Sequence, residues 1–267
     1  MNHLLRSLAP ITDSAWELLD KEARGRLSGA LAARRLVDFS GPHGWEHSAT
    51  NLGRASGVKS APAKGITGSQ RQVLALIEVR AGFSVEREEL RSHDRGAVDV
   101  DLGELDDAAH RMAIAENTAV FHGWPAAGIS GITEVAPGKP ISLGKSAEAY
   151  PRAVAGAVER LLQRGIGGPY GLALGPEEYT RVSETAEHGG YPLLDHLAKV
   201  LSGPIVWAPG VSGAVVVSLR GGDFLFECGQ DLSIGYERHD EGIIRLYLEE
   251  SFAFVVATPE AAVALSS

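Results

Sequence analysis

Residues 139–146, KPISLGKS, end in the Gly-Lys-Ser triplet with which a phosphate-binding loop enters a helix. In such a loop a glycine stands five residues before Gly144, but this chain has Lys139 there, and Gly138 lies one position too early. The loop is therefore the wrong size for its backbone amides to surround a phosphate group. We interpret it as a helix-capping loop and expect no nucleotide site.

Two other glycine-rich segments also fail as ligand loops. Residues 165–171, GIGGPYG, leave a predicted helix and enter a predicted strand, the reverse of a dinucleotide-binding turn, and Pro169 removes a backbone amide. Residues 221–224, GGDF, match the start of a diguanylate cyclase signature, but Phe224 stands where the signature needs an acidic residue. We interpret the first as a helix-to-strand turn and the second as a hairpin turn.

The side chains that bind metals or act as nucleophiles form no recognisable set. His43 and His47 have a four-residue spacing that suits a metal site on a helix, but Pro42 and Gly44 oppose a helix there. Cys228 is the single cysteine, without the spacing of a metal site, and we expect a small buried or half-buried strand residue. Neither a Gly-x-Ser-x-Gly elbow nor a His-Glu-x-x-His motif occurs. We therefore predict no catalytic residue, no metal and no cofactor.

The composition argues against several classes of protein. Of the 267 residues, 44% are hydrophobic and 22% are charged. No run approaches the length of about 18 apolar residues that suggests a membrane span. The amino-terminal segment MNHLLRSLAPITDSAW lacks the apolar core of a secretory signal, so we expect a cytoplasmic protein. A formal net charge of −9, without an evident basic stripe, argues against a nucleic-acid partner.

Apolar periodicity predicts three long helices, over about residues 14–34, 101–123 and 146–165. Ser14 with Glu17, and Asp101 with Glu104, are capping pairs at the first two helix starts. Strands are predicted later in the chain, at residues 205–207, 214–219, 224–228, 243–248 and 252–256. Because helices and strands come in blocks without strict alternation, the predicted class is α+β with a largely antiparallel sheet.

Residues 51–70 form a polar excursion with four glycines and almost no large apolar side chain, before a strand-forming run at 73–85. A free domain rarely keeps a polar excursion of this length. We therefore predict an extended hairpin or arm that packs on something outside its own subunit.

Several segments, in order along the chain, match one family. They are LAPITDSAW, AARRLVDFSGPHGWE, FHGWPAAGISGI, GIGGPYGLALG, VSETAEHGGYPLLDHL, GAVVVSLRGGDF, GQDLSIGY and RLYLEESFAF. With these segments the chain resembles an encapsulin shell protein of the family 1 type, in the family also called linocin or bacteriocin M18-like. The resemblance covers residues 8–265, and GGDF followed by GQDLSIGY is its most specific part.

The resemblance implies the HK97-type phage capsid fold, an α+β fold with a peripheral domain, an axial domain and an extended loop. The corresponding division of the chain is an amino-terminal arm and helix at 1–40, the extended-loop (E-loop) region at 41–85, the first part of the peripheral domain at 86–138, the axial domain at 139–208, and the second part of the peripheral domain at 209–267.

The resemblance also implies a structural subunit, not an enzyme, that self-assembles into an icosahedral compartment of about 60 copies. Shells of this family enclose a cargo enzyme, a dye-decolorising peroxidase or a ferritin-like protein, by binding its carboxy-terminal peptide. Six residues carry over to that site: Arg34, Asp38, Asp231, Leu232, Ile234 and Tyr236. The last three alternate on a predicted strand, so their side chains share one face and line one groove. An alternative structural role is open for the six residues: core packing of the apolar ones and an ion pair within the subunit for the charged ones.

A second matching segment, at residues 184–191, implies a ring around a five-fold pore that passes ions and small substrates. Its residues are Glu184, Thr185, Ala186, Glu187, His188, Gly189, Gly190 and Tyr191. Some members of the family hold a flavin against a tryptophan in the strand predicted here at 85–89. Arg87 and Glu88 stand there, so no flavin is expected.

Two alternative functions remain open from the sequence. The older family names suggest a secreted bacteriocin or protease-like protein, which neither a signal sequence nor a protease constellation supports. A phage major capsid protein is structurally almost the same hypothesis as a cellular shell.

Overall fold

The protein is described by a computed structural model over residues 3–144, 146–186 and 190–266. The α-helices of these ranges are α1 (Asp13–Ala30), α2 (Arg87–Asp94), α3 (Gly103–His122), α4 (Ile132–Val135), α5 (Tyr150–Gln163), α6 (Pro176–Glu184) and α7 (Leu193–Leu201). The strands are β1 (Asp38–Ser40), β2 (Ala49–Val58), β3 (Gly68–Ala75), β4 (Ile77–Glu86), β5 (Ile141–Ser142), β6 (Tyr170–Leu174), β7 (Ile205–Trp207), β8 (Ala214–Ser218), β9 (Phe224–Cys228), β10 (Ser233–His239), β11 (Ile243–Val256) and β12 (Ala262–Ser266). The predicted α+β class is confirmed.

The first sheet is built around the long strand β11. The strand order is β1-β9-β11-β10, and β4 also pairs with β11. Along its first half β11 lies between β10 and β4, and along its second half it pairs with β9, in each case antiparallel. Helix α3 packs against β4 and α1 packs against α3, so two long helices cover this sheet. Phe226, Phe252 and Phe254 are fully buried in its core.

The second sheet has the order β5-β12-β8-β6-β7. Strands β6 and β8 are buried along their whole length, since α5, α6 and α7 pack on this sheet. Residues 209–267, assigned in the sequence to one part of a peripheral domain, are divided between the sheets: β9, β10 and β11 lie in the first, whereas β8 and β12 lie in the second. The division into domains itself stays a prediction.

The start of α1 differs from the sequence expectation. The N-cap is Thr12, whose side-chain oxygen accepts a hydrogen bond from the amide of Ala15 at 3.2 Å. Ser14 is inside the first turn, so the predicted capping box of Ser14 and Glu17 is wrong. The helix ends at Ala30 and a single 3-10 turn, Ala33–Arg35, follows it. That turn directs Arg34 away from the helix axis and into the molecule.

Strands β2 and β3 form a two-stranded sheet of their own, joined by residues 59–67. Of the hairpin or arm predicted from the polar excursion, the structure has the hairpin. What the hairpin contacts outside its subunit stays a prediction. From Asn51 to Gln72 nearly every residue on both strands is exposed. The base of the hairpin is tied to the subunit, because the amide of Leu76 donates to the carbonyl of Ser48 at 2.9 Å.

Other strand predictions are confirmed or corrected individually. The strands at 205–207 and 224–228 have the predicted bounds. The two strands predicted at 243–248 and 252–256 are one continuous strand, β11, because the polar residues between them, at 249–251, are themselves buried. The strand predicted at 85–89 ends at Glu86, and Arg87 begins α2. None of the described helices is both long and apolar enough to cross a bilayer.

Candidate functional site

A groove of about 400 Å³ lies between α1 and the segment that leads into β10. Its lining residues come from the amino-terminal arm, the helix, the 3-10 turn and two strands: Arg6, Asp20, Ala23, Arg24, Leu27, Ser28, Leu31, Arg34, Asp231, Leu232, Ser233, Ile234 and Leu248. The size is that of a site for a few side chains of an extended peptide.

The helix wall of the groove follows from the helical period. Ala23, Leu27 and Leu31 recur at four-residue steps and are almost fully buried, so they form one apolar row along α1 and its C-cap. Arg24 and Ser28 lie beside that row and are exposed. Arg24 has no ion-pair partner among the described residues, which leaves a cation at the rim of the groove.

The strand wall comes from β10 and β11. Ile234 and Leu248 are opposite each other in the antiparallel register, and each is 1% exposed. They form the apolar floor of the groove. Leu232 precedes β10, is half-buried, and is packed against the core. It is therefore the large apolar side chain of this wall that an incoming ligand can still contact.

Arg34 closes one end of the groove with three ion pairs. Its Nε donates to Glu116 Oε2 at 2.8 Å, and its two terminal nitrogens donate to Asp231 Oδ1 and Glu250 Oε2, each at 2.7 Å. Asp231 also accepts from the amide of Leu232 at 2.8 Å, so this carboxylate fixes the segment that enters β10. The guanidinium thus joins the 3-10 turn, α3, β11 and the groove wall.

Two of the three carboxyl groups around Arg34 are completely buried. Burial raises the pKa of Glu116, although the adjacent Arg34 charge opposes that effect. Burial, together with the nearby Glu116 carboxyl, raises the pKa of Glu250 well above its ordinary value. One Oε atom of each carboxyl has no hydrogen-bond partner among the described residues. Three carboxyl groups therefore share the single positive charge of Arg34, and two of them are buried, where an unpaired charge is costly.

Four of the six residues predicted for a peptide site lie together in the groove: Arg34, Asp231, Leu232 and Ile234. Arg34 has its nitrogens bound to carboxylates of its own chain, and Ile234 belongs to the core. Both therefore shape the groove from within the fold. Leu232 and Asp231, whose side chain is 43% exposed, remain accessible from the groove. A role of these residues in peptide binding stays a prediction.

The structure does not bring Asp38 and Tyr236 into the groove. Asp38 accepts a hydrogen bond from the amide of Gly222 at 2.7 Å and lines a separate cavity of about 200 Å³ beside the second sheet. Tyr236 is buried, and its backbone amide donates to the carbonyl of Leu4 at 2.8 Å. Its neighbour on the same strand, Gly235, lets the Tyr247 ring pack against the backbone there. The six residues carried over by resemblance thus lie in different environments, and a role of Asp38 and Tyr236 in peptide binding stays a prediction.

The predicted pore segment is only partly described. Glu184 is the last residue of α6 and is exposed, and Ala186 forms an isolated β-bridge with Pro192. The side chain of Tyr191 is packed under the Lys199 ammonium, 4.9 Å from the ring centre. Glu187, His188 and Gly189 lie outside the described residues. The pore role of this segment stays a prediction.

The other chemical candidates have structural roles. Ser146 accepts from the amide of Glu148 at 3.3 Å, in agreement with a helix-capping loop. Burial raises the pKa of the Cys228 thiol to about 12, which makes it a poor nucleophile. His47 contacts Glu227, and its ring centre is 5.0 Å from that of His43. Within residues 3–144, 146–186 and 190–266 no group of three or more such side chains is placed to hold a metal ion.

Sequence reasoning missed both the helix wall of the groove and the two buried glutamates. A signal was present for Glu116, because this carboxylate occupies a position in the apolar repeat of α3 between Ala113 and Val120. Glu250 gave a weaker signal, as a charge between two strand-forming runs. The helix wall gave no signal of a groove beyond its apolar stripe, which any packed helix shows.

The arrangement of two sheets, a long covering helix and a projecting hairpin is that of viral capsid subunits. A virus-like particle from Pyrococcus furiosus, known from a crystal structure, has a TM-score of 0.63 with this chain at 16% identity, covering 94% of this chain and 99% of its own. The capsid of an empty GTA particle has a TM-score of 0.52 at 12% identity, covering 89% of this chain and 90% of its own. The predicted HK97-type capsid fold is confirmed.

Sequence comparison defines the family within this class. The model of the Linocin M18 family, described as an encapsulating protein for peroxidase, matches residues 1–253. The type 1 encapsulin shell protein of Rhodospirillum rubrum is 45% identical, covering 99% of this chain and 96% of its own. That of Brevibacterium linens is 43% identical over the full length of both chains. The chain belongs to the encapsulin shell protein family, a class of structural proteins and not of enzymes.

Proposed function

We propose that this chain is the subunit of a closed icosahedral compartment of about 60 copies that encloses a cargo enzyme in the cytoplasm. Family membership and the capsid fold support the shell. The cargo is a peroxidase or a ferritin-like protein, and it is retained by its carboxy-terminal peptide in the groove between α1 and β10.

The observation that carries the proposal is the groove itself. It combines an apolar floor, Ile234 with Leu248, and an accessible apolar contact at Leu232. Its polar rim includes Arg24, which is exposed and makes no ion pair with any residue that the structure describes. Such a site favours a short extended segment with apolar side chains at intervals and polar groups between them. Arg24 lies where it can bind a carboxylate of that segment.

The shape of the groove is held by interactions inside the subunit. Arg34 fixes Asp231, and Asp231 fixes the amide of Leu232, so the strand wall is positioned before any ligand arrives. A wall that is already ordered saves part of the entropy cost of binding a flexible peptide.

The test compares two substitutions in shells purified from native cells. Leu232→Asp places a charge on the apolar wall of the groove, and we expect about a tenfold loss of copurifying cargo. Leu162→Asp is the matched control, because Leu162 is 58% exposed on α5, away from the groove, and we expect normal loading.

Cargo is measured by mass spectrometry of protease-treated particles whose size matches that of the unmodified shell. Deletion of the carboxy-terminal tail from the enzyme so identified is expected to reproduce the loss. Fully loaded Leu232→Asp shells of normal size contradict the groove assignment. A 28.2 kDa monomer in place of particles of megadalton order contradicts the shell.

A further inference from the structure

The last turns of α3 hold a loop of the second sheet by side-chain hydrogen bonds. This loop, residues 208–213, joins β7 to β8 and is called the connecting loop below. Asn117 Nδ2 donates to the carbonyl of Pro209 at 3.0 Å. Thr118 Oγ1 donates to the carbonyl of Gly210 at 3.3 Å, and a Cβ at Gly210 would lie 2.7 Å from that oxygen, so the loop backbone is in close contact with the helix. Because α3 covers the first sheet, these contacts form a joint between the two larger sheets.

His122, the last residue of α3, makes a third contact with the connecting loop, and its partners fix its protonation state. The backbone amide of Ser212 donates to His122 Nε2 at 3.0 Å. An amide nitrogen can only donate, so Nε2 must be the unprotonated nitrogen of a neutral ring. Nδ1 then carries the hydrogen and donates to Thr133 Oγ1 at 2.9 Å, and the Thr133 hydroxyl donates onward to the carbonyl of Phe121 at 2.8 Å. The chain of hydrogen bonds is therefore complete only for neutral His122.

The surroundings of His122 also favour the neutral ring. Burial lowers the pKa of His122 below its ordinary value of 6.5, and no charged group among the described residues offsets this effect. The connecting loop itself contains no titratable residue. Charged side chains of the elements packed on α3 are bound to partners in the subunit: Glu134 of α4, Arg26 of α1, Arg34 of the 3-10 turn, Glu78 and Arg80 of β4, and Glu250 of β11.

We propose that His122 is an acid-sensitive latch, which holds the connecting loop on α3 while its ring is neutral and releases the loop when the ring is protonated. A protonated ring carries a hydrogen on both nitrogens, so Nε2 can no longer accept from the Ser212 amide. Ser212 is exposed, so its released amide bonds to water and no buried donor is left unpaired. The joint then keeps only the contacts of Asn117 and Thr118, and the second sheet is free to move relative to the first.

The direction of the pH effect follows from linkage between protonation and opening. The closed joint disfavours the protonated ring, so the pKa of His122 is lower in the closed joint than in the open one, where the ring titrates near 6.5. Closure is therefore fully favoured above about pH 7 and weakens as the pH falls through about 6.5 toward the lowered value. Between about pH 8 and about pH 5 the open population is expected to rise about tenfold.

Hydrogen exchange of the connecting loop in the full-length protein tests the latch. The exchange of a peptic fragment that contains Ser212 is measured by mass spectrometry at about pH 8 and about pH 5. It is expressed as a protection factor, so that the intrinsic pH dependence of amide exchange cancels. We expect the protection of the unmodified protein to fall about tenfold at the lower pH.

Two histidine variants assign the effect to one residue. His122→Gln keeps an oxygen that accepts from the Ser212 amide but does not titrate, so its protection is expected to be the same at both pH values. His110→Gln is the matched control, because His110 is also on α3 and its ring centre lies 6.2 Å from that of Trp207, the residue before the connecting loop. We expect His110→Gln to keep the full acid sensitivity of the unmodified protein.

A second pair of variants keeps the test decisive if His122→Gln does not fold. Thr133→Val removes the oxygen that accepts the Nδ1 hydrogen, so the ring form with its hydrogen on Nε2, which cannot accept from Ser212, becomes competitive. We expect Thr133→Val to lower the protection about threefold already at about pH 8. Thr133→Ser retains the hydroxyl and is expected to leave the protection unchanged.

The proposal is overturned by any of four results. They are equal protection of the unmodified protein at both pH values, acid sensitivity that persists in His122→Gln, acid sensitivity that is lost in His110→Gln, and equal protection of Thr133→Val and Thr133→Ser at about pH 8. None of these results bears on the shell, because the latch lies within one subunit and the shell is tested by particle size.

Discussion

At the scale of single residues, the fold and the groove both depend on how the charge of Arg34 is shared among its carboxyl neighbours. One guanidinium faces Glu116, Glu250 and Asp231, and both glutamates are fully buried. Removing a buried charge from water costs several kcal/mol unless a partner compensates it. Arg34 therefore stabilises the fold mainly by supplying the positive charge that compensates two buried carboxyl groups. Through Asp231 it also positions the wall of the groove.

The substitution Arg34→Met tests this role. We expect a loss of about 3–5 kcal/mol in the free energy of unfolding, because the buried carboxyls lose their cation. Arg26→Met is the control, since Arg26 is exposed and its loss is expected to have little effect. The measurement is denaturant unfolding, and an equal effect of the two substitutions contradicts the assigned role of Arg34.

The same variant has a defined pH dependence. A carboxyl group whose pKa is raised by folding favours the folded state below its ordinary pKa of 4.5, and that contribution is lost as the pH rises toward the raised value. Without Arg34 the carboxyl groups repel each other unopposed, which raises their pKa values further. The stability lost in Arg34→Met is therefore expected to be larger at about pH 8 than at about pH 5. A loss that is independent of pH rules out this explanation.

At the scale of elements, α1 matters because it forms one whole wall of the groove. Its N-cap oxygen belongs to Thr12, which also donates to Asp94 Oδ1 at 2.8 Å and so links the start of α1 to α2. Thr12→Ala is expected to cost about 1 kcal/mol, whereas Ser14→Ala, inside the first turn, is expected to cost less. Thermal unfolding of the two variants decides between Thr12 and Ser14 as the cap.

Two glycines in the groove elements are expected to respond oppositely to Ala. A Cβ at Gly25, within α1, meets nothing within 4 Å, so Gly25→Ala is expected to stabilise the protein by about 0.5–1 kcal/mol. A Cβ at Gly235, within β10, meets the Tyr247 ring and forces it to move. Gly235→Ala is therefore expected to lower the Tm while Gly25→Ala raises it. Calorimetry that finds the same sign for both contradicts the packing described here.

At the scale of the whole molecule, the two larger sheets and the hairpin of β2 and β3 are separable. The core lies in the sheets and their helices, whereas the hairpin contributes almost no buried residue beyond Thr50. Replacing residues 52–72 with an Asn-Gly turn joins Asn51 to Val73, which are paired in register. We expect this variant to unfold cooperatively near the Tm of the unmodified subunit but to form no large particle in light scattering. If this variant does not fold, the core depends on the hairpin and the two are not separable.

Much of the fold was predictable because its signals are local. Apolar periodicity located α1, α3 and α5, and the lack of large apolar residues at 51–70 located the hairpin. The ends of the helices were less predictable. Ser14 and Thr12 are both good capping residues, and the backbone conformation at the start of the helix decides which of them is the cap. The merging of two predicted strands into β11 was hidden because Glu249 and Glu250 look like surface residues until their ion pairs are known.

The sequence by itself determined the α+β class, the family, the hairpin and four of the residues that meet in the groove. It did not determine what those residues do. Arg34 lies 82, 197 and 216 residues from the three carboxylates that it binds. Only the packing of α3 against the first sheet and the register of β10 on β11 bring those groups within hydrogen-bond distance, and no local pattern encodes either. The tertiary structure therefore decided that Arg34 is a structural charge, that Asp38 and Tyr236 lie elsewhere, and that α1 supplies the other wall.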